Sequence, residues 1–337
     1  MIKKDKTIII AEAGVNHNGD INLALRLVDI AAKSKADYIK FQTYSTDELV
    51  QKKLGLAKYQ KINTKKNYSQ YEMLKKFELS MSDHLKIIKR CEKKKIKFLS
   101  SPFDLKSIDL LRKLKMDLFK IPSGEITNIP YLRKIGSLKK RILLSTGMSN
   151  IKEIKIAIQT LLTSGTKKRN ITILHCSSEY PAKKNNLNLL SIPFLKKKFD
   201  INVGYSDHSL GLDASFTAVA LGAKVIEKHF TINNKLNGPD HKASLTPTQL
   251  ANLVKGIRNI ESTLGNYLKE PSSAELKNSK FVRKFIVAKK KIKKGEKFSE
   301  KNLTTKRALV GIPASKWDFM IGKKAKKNFI DNENIKN

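Results

Sequence analysis

The sequence predicts an α/β protein: a (β/α)8 barrel of the TIM type, followed by a small C-terminal domain. Three observations lead there. Short apolar runs recur through residues 1–265, and each stops at polar side chains able to do chemistry. Amphipathic helical patterns lie between the runs. The stretch that holds them is close to the ~250 residues such a barrel usually takes.

Buried parallel strands read as near-continuous apolar runs. Residues 7–13 contain Glu12, and 38–42 carry Lys40 and Gln42. Run 98–101 ends in Ser100 and Ser101, 118–123 carries Lys120 and Ser123, and 142–145 ends in Ser145. Run 171–176 carries His175, 202–208 finishes on Ser206, Asp207 and His208, and 225–230 holds Glu227, Lys228 and His229. A barrel places its active site at the C-terminal ends of its strands. The polar ends are therefore expected to face one basin. A doubly wound open sheet is the alternative, but polar residues at every strand end favour closure.

The helices follow from spacing. Asp20 is a good N-cap, and Ile21, Ala24, Leu25, Val28, Ala31 and Ala32 then share one face. Ile151, Ile154, Ala157, Ile158 and Leu161 repeat the spacing before Gly165, and Leu250, Leu253, Val254, Ile257, Ile260 and Leu264 do so before Gly265. Strand and helix in alternation imply a parallel sheet. Residues 43–81 form a long insertion with Tyr44, Tyr59, Tyr68, Gln70 and Tyr71, the kind of segment that often makes a binding loop. Residues 266–280, polar with Pro271, read as a linker. Residues 281–337 form the small domain, with a strand at 285–288, a turn at Lys294-Gly295-Glu296, and short elements around Trp317 and Phe329. A domain this short is marginal alone and is expected to pack on something.

Composition limits the function. Lys and Arg total 68 against 30 Asp and Glu, a net charge of +38. Nucleic-acid binding is the obvious reading of such a charge. Two features oppose it: lysine supplies nearly all of the excess, with little of the arginine that reads grooves and phosphates, and the excess is spread along the chain. A positive field that gathers small anionic substrates fits better. Cys91 and Cys176 suggest no disulfide framework and fit a reducing cytoplasm. No apolar stretch is long enough to span a bilayer, and Glu12 interrupts the first run, against a secretory signal.

Residue chemistry sharpens this. His208 and His229 end neighbouring strands, ~4.8 Å apart, so both imidazoles can reach one divalent metal. Asp207, Glu227, Asp240 and His241 lie near them in sequence as further ligands or orienting groups. Lys40, Lys120, Ser123, Ser145 and Ser206 suggest an anion site, since ammonium and hydroxyl groups suit phosphate. The turn Ser123-Gly124-Glu125 adds backbone N–H groups. A Schiff base on Lys120 is the competing role. Glu12 is a candidate acid or base, while Cys176 reads as a small buried residue.

Six segments carry a resemblance: Glu12-Ala13-Gly14-Val15-Asn16-His17-Asn18-Gly19, Lys120-Ile121-Pro122-Ser123-Gly124-Glu125, Ser145-Thr146-Gly147-Met148, Gly204-Tyr205-Ser206-Asp207-His208, Glu227-Lys228-His229-Phe230 and Gly238-Pro239-Asp240-His241. In this order they resemble the sialic acid synthase family. Ile292-Lys293-Lys294-Gly295-Glu296 and Lys306-Arg307 look like that family's antifreeze-like (SAF) domain. The resemblance implies condensation of phosphoenolpyruvate with N-acetylmannosamine to N-acetylneuraminate and phosphate, by C–O cleavage. A legionaminic or pseudaminic acid synthase using a diacetamido sugar is the alternative within the family. Outside it stand a Schiff-base aldolase and a carbohydrate-binding protein without turnover. The family's roles would make Glu12, Glu227, His208 and His229 catalytic. Lys40, Ser100, Lys120, Ser123, Ser145 and Ser206 would bind phosphoenolpyruvate. Gln42, Tyr180, Asp240 and Arg307 would bind the sugar, and His208 and His229 the metal, manganese first, magnesium or cobalt next. The resemblance further implies a cytoplasmic homodimer in which each SAF domain caps the partner's barrel and brings Arg307. Ala308-Leu309-Val310 depart from the proline and glycines common there.

Overall fold

A computed structural model describes residues 6–56, 60, 61, 63, 69–266 and 268–336. They fall into two compact units, Met1–Gly265 and Asn266–Asn337. No helix among the described residues is long and apolar enough to cross a membrane.

The first unit is built on eight strands: β1 (Ile8–Gly14), β2 (Tyr38–Thr43), β3 (Lys97–Pro102), β4 (Leu118–Ile121), β5 (Arg141–Ser145), β6 (Ile171–Cys176), β7 (Asn202–Asp207) and β8 (Val225–His229). They run in the order β3-β2-β1-β8-β7-β6-β5-β4. Every hydrogen-bonded pair is parallel. The two end strands, β3 and β4, lie side by side and close the barrel. Apolar side chains such as Ile9, Ile39, Leu99, Phe119, Leu144, Ile173 and Ile226 fill the core, and all are fully buried.

Local chemistry sets the helix ends. The Asp20 side chain accepts from the Asn22 N–H to start Ile21–Lys33. Asn150 and Glu153 form a reciprocal capping box at the start of Ile151–Thr163, as Thr246 and Gln249 do for Pro247–Thr263, which also opens on proline. The 43–81 insertion has helices of its own, Thr46–Leu49 and Gln70–Phe77. Tyr59 and Tyr68, named above as part of a binding loop, lie outside the described residues.

The second unit pairs β9 (Lys284–Ala288) with β10 (Leu303–Arg307), antiparallel, over a core of Ile286, Ile292, Phe298, Leu303 and Phe329. Its N-terminal part corrects the linker reading. Ser273–Val282 is a helix, begun by a Ser272–Glu275 capping box. That serine-x-x-glutamate signal is legible in the sequence, but the helix buries no residue, so no apolar face announces it.

Candidate active site

In a strand, side chains alternate between faces, so register decides what enters the barrel. Glu12 sits opposite Lys40 on β2 and His229 on β8. Ser206 sits opposite Glu227. These side chains, with Lys120 from β4 and Ser145 from β5, meet at the C-terminal ends in a cavity of about 680 Å³. Gln42, Ser123, Tyr180, His208 and Asp240 also line it. Twelve of the fourteen sequence-predicted site residues thus share one basin.

Ser100 does not. Its neighbour across the ladder is the outward Phe41, and its hydroxyl lies 2.6 Å from Thr43 Oγ1, which also reaches His84 Nε2. Ser101, opposite the inward Gln42, takes the place in the basin and accepts from Lys40 Nζ at 3.0 Å. A run this short shows no phase for the alternation, so the sequence does not say which of the two serines turns inward. Asp207 likewise faces outward, bound to Lys228 Nζ at 2.7 Å. His241 is held by Thr231 and Asn18, away from the other imidazoles. Arg307 is exposed at the end of β10 in the second unit.

At the basin floor two lysines and two glutamates interlock. Lys40 Nζ is 2.9 Å from Glu12 and 3.5 Å from Glu227, and Lys120 Nζ is 2.8 Å from Glu227 Oε1. Ser206 donates to the same Glu227 oxygen at 2.8 Å. Burial would raise the Glu227 carboxyl, but Lys120, Lys40 and the Ser206 hydroxyl outweigh it and hold it well below the usual range. Burial pushes Glu12 up to about 7, against the pull of Lys40. Burial would also depress Lys40, yet Glu12 and Glu227 keep its ammonium above the ordinary lysine value. Lys120 is depressed by burial, with Glu227 only partly offsetting it. Glu227 is therefore the fixed anion and Glu12 the carboxyl that exchanges a proton near neutral pH.

Above the floor stand the imidazoles. The His208 and His229 rings are 5.6 Å apart, with Tyr180 4.2 Å from the first and edge-on to the second. Burial lowers His208 to about 4, and burial with His208 beside it drives His229 well below the ordinary value. Both rings are neutral, the form that binds a metal. His208 Nδ1 donates to the Ser177 carbonyl at 2.6 Å, which leaves the lone pair on Nε2, 3.5 Å from Ser206 Oγ, to accept a ligand. His229 Nδ1 is buried, and among the described residues it has no hydrogen-bond partner; Asp240 stops 4.0 Å short. Burial raises the Asp240 carboxyl to about 6. Among the described residues no group of three or more His, Cys, Asp and Glu side chains gathers as a metal cage. A two-imidazole site with an open remainder, to be filled by water or substrate oxygen, still fits these donors.

Two further features belong to the site. Ser145 Oγ is buried with no hydrogen-bond partner among the described residues, ready for an incoming acceptor or donor. Gly14 sits at φ +52°, where β1 shifts register, and a Cβ there would come within 3.2 Å of both Glu12 and His229. Only glycine brings the strand that close to both groups.

Comparison with known proteins follows this geometry. Residues 27–269 match the NeuB family and residues 283–336 the SAF domain. The chain belongs to the NeuB family. The N,N'-diacetyllegionaminic acid synthase of Campylobacter jejuni is 52% identical over 331 residues, covering 98% of this chain and 99% of that protein. The enzyme of the same name from Legionella pneumophila is 44% identical over 322 residues, 95% of this chain and 90% of that one. The structure of N-acetylneuraminic acid (sialic acid) synthetase from Leptospira borgpetersenii, in complex with citrate, superposes with a TM-score of 0.72 at 36% identity, over 81% of this chain and 90% of that one. The motif resemblance to sialic acid synthases is therefore borne out, as are the barrel and the SAF domain. This NeuB-family chain is an enzyme of the synthase type.

Proposed function

We propose that this NeuB-family enzyme condenses phosphoenolpyruvate with an N-acylated hexosamine to a nine-carbon 2-keto acid and phosphate. The observation that carries the reading is the basin floor: two buried lysines, each ion-paired to a carboxylate, beside an unpartnered serine and two neutral imidazoles. In this reading Lys40, Lys120, Ser123, Ser145 and Ser206 hold the carboxylate and phosphate of phosphoenolpyruvate, with Ser101 replacing Ser100 among them. Gln42, Tyr180 and Asp240 orient the sugar. A divalent ion on His208 and His229, manganese or else magnesium or cobalt, would supply Lewis-acid polarisation of the sugar aldehyde.

The bonds balance as follows. Phosphoenolpyruvate C3 bonds to the aldehyde carbon, and the aldehyde oxygen gains a proton. Water adds at C2 and loses one. The C2–O bond to phosphate breaks, the new C2 hydroxyl loses its proton as the keto group forms, and phosphate leaves carrying that proton. Glu12, poised near neutral pH beside Lys40, is the residue suited to pass one of these protons. Glu227, fixed as an anion, keeps both ammoniums in place. A cytoplasmic homodimer, with Arg307 delivered to the sugar by the partner's SAF domain, completes the reading.

The sugar order drawn from the motifs is reversed. N-acetylmannosamine stood first there; the two relatives at 52% and 44% identity are both diacetyllegionaminic acid synthases, against 36% for the sialic acid synthetase structure. They support a 2,4-diacetamido sugar as substrate. The test is phosphate release from phosphoenolpyruvate with the diacetamido sugar, with N-acetylmannosamine, and with neither. Release that no sugar stimulates would sink the proposal.

A further inference from the structure

The cavity has two unlike sides. One is the charged floor. The other is a wall built from the insertion after β2, with Leu49, Val50, Leu54, Met73, Leu74 and Phe77 facing the space. Gln51, Gln60 and Gln70 line the same side. Among the described residues of this segment none that lines the cavity is charged, in a protein of net charge +38. Lys52, Lys53, Lys61, Lys75 and Lys76 belong to the segment, yet all are exposed and none lines the cavity.

The wall is fixed. Met73 and Phe77 pack with Val15 and Leu56 in a small cluster separate from the barrel core. The Gln70 N–H donates to the Leu54 carbonyl at 2.8 Å. Tyr44 Oη donates to the Leu74 carbonyl at 3.1 Å, and Thr46 Oγ1 to Glu78 at 2.7 Å, which ties the helix Gln70–Phe77 to the end of β2. Leu54 is 52% exposed, so its side chain is available to a ligand in the cavity.

We infer that this wall is the specificity subsite for a neutral N-acyl substituent, the second acetamido group that distinguishes a diacetamido sugar from N-acetylmannosamine. This rests on the synthase reading above, with the reacting end of the sugar at His208, His229 and Glu12. The C4 substituent, farther along the open chain than the C2 acetamido group, then extends away from that end toward the wall. An acetamido group has a methyl to bury and a planar amide to pair, and the wall offers leucines and glutamine amides. A hydroxyl on the same surface gives up water hydrogen bonds against apolar side chains. A phosphate would find no cation among the described wall residues.

The discrimination available from one apolar group in a pocket is roughly 10- to 200-fold. The experiment compares kcat/KM for the 2,4-diacetamido sugar and for N-acetylmannosamine at saturating phosphoenolpyruvate, in the wild type, Leu54→Asn, Leu74→Gln and the conservative Leu54→Met. The wild type is expected to favour the diacetamido sugar by at least about 10-fold. Leu54→Asn and Leu74→Gln shrink that ratio about 10-fold, mostly through KM for the diacetamido sugar, and Leu54→Met keeps it. Equal losses on both sugars, no loss on either, or a wild type indifferent between them overturns the inference while leaving the synthase reading intact. A wild type with no sugar-dependent phosphate release brings down both.

Discussion

Asp207 and Lys228 face each other across the β7–β8 ladder, one residue before His208 and His229. Their side chains point out of the barrel and are at most 1% exposed, with Nζ 2.7 Å from Oδ2. Asp207 also accepts from the Ser209 N–H, Ser209 Oγ and Ser215 Oγ, at 2.9, 2.7 and 2.6 Å. Lys228 has only the Ser209 carbonyl besides. The two single substitutions should therefore differ. Lys228→Met leaves a carboxylate with three donors and should cost about 3 kcal/mol, the low end for breaking a buried pair. Asp207→Leu leaves an ammonium with one acceptor. Burial already depresses that ammonium, so its escape is to lose the proton. From an unfolded value near 10.4, doing so at pH 7 costs about 4.6 kcal/mol, which sets the ceiling. The double variant loses both charges and leaves chiefly the Ser209 N–H unpaired, about 2–3 kcal/mol, well short of the additive sum.

The pH dependence gives an independent check. In Asp207→Leu the folded Lys228 is neutral and the unfolded one protonated, so unfolding takes up a proton and stability rises with pH. The difference from wild type should shrink by up to about 1.4 kcal/mol per unit between pH 7 and 10. Urea unfolding followed by far-UV circular dichroism reads this; the single tryptophan, Trp317, lies in the C-terminal unit and would report the wrong transition. An additive double variant, or a difference that stays flat with pH, refutes the reasoning.

His229→Ala should abolish the turnover that added metal restores to EDTA-treated wild type, with an unchanged circular dichroism spectrum; full metal-dependent activity in the variant would remove His229 as a ligand. Ser101→Ala should raise KM for phosphoenolpyruvate by loosening Lys40, whereas Ser100→Ala should leave KM alone and cost about 1 kcal/mol of stability through its lost hydrogen bond; kinetics and urea melts on both variants separate the two serines. Gly204→Ala would put a Cβ 2.6 Å from the Val225 carbonyl and 2.7 Å from Leu174, so it should lower stability by about 1–3 kcal/mol or more, and an unshifted melting temperature would contradict the packing.

The barrel was legible because its strands are buried on both faces and so read as plain apolar runs, with the chemistry at their ends. Glu12, Lys40, Lys120, Glu227 and the histidines stand out against such runs. Which of Ser100 and Ser101 turns inward is not legible in a four-residue run without visible phase; only the pairing of Ser100 with Phe41, and that of Ser101 with Gln42, fixes it. Asp207 reads as a site residue for the same reason, although period-two alternation next to His208 argues that it faces out. The apolar wall was not legible at all. Its leucines and glutamines are interleaved with lysines, and only folding sorts Lys52, Lys53, Lys61, Lys75 and Lys76 to solvent. In the proposed reading sugar choice rests on that sorting, so motifs that name a family do not by themselves rank its sugars.

Lys120 shows how geometry decides between roles that residue type leaves open. A depressed ammonium is what a Schiff-base nucleophile needs, and burial does depress Lys120. A nucleophile also needs a free lone pair. Lys120 Nζ donates to Glu227 Oε1 at 2.8 Å, and Ser206 and Lys40 hold that carboxylate as an anion. Taking the proton from Lys120 would leave Glu227 without its closest counter-charge in a buried floor. Glu227 therefore stabilises the charged lysine, the state that binds an anion, and it does so for Lys40 at the same time. Two ammoniums sharing one fixed carboxylate, with Glu12 able to give up or take a proton beside them, make a floor suited to receiving a multiply charged substrate and poorly suited to forming an imine.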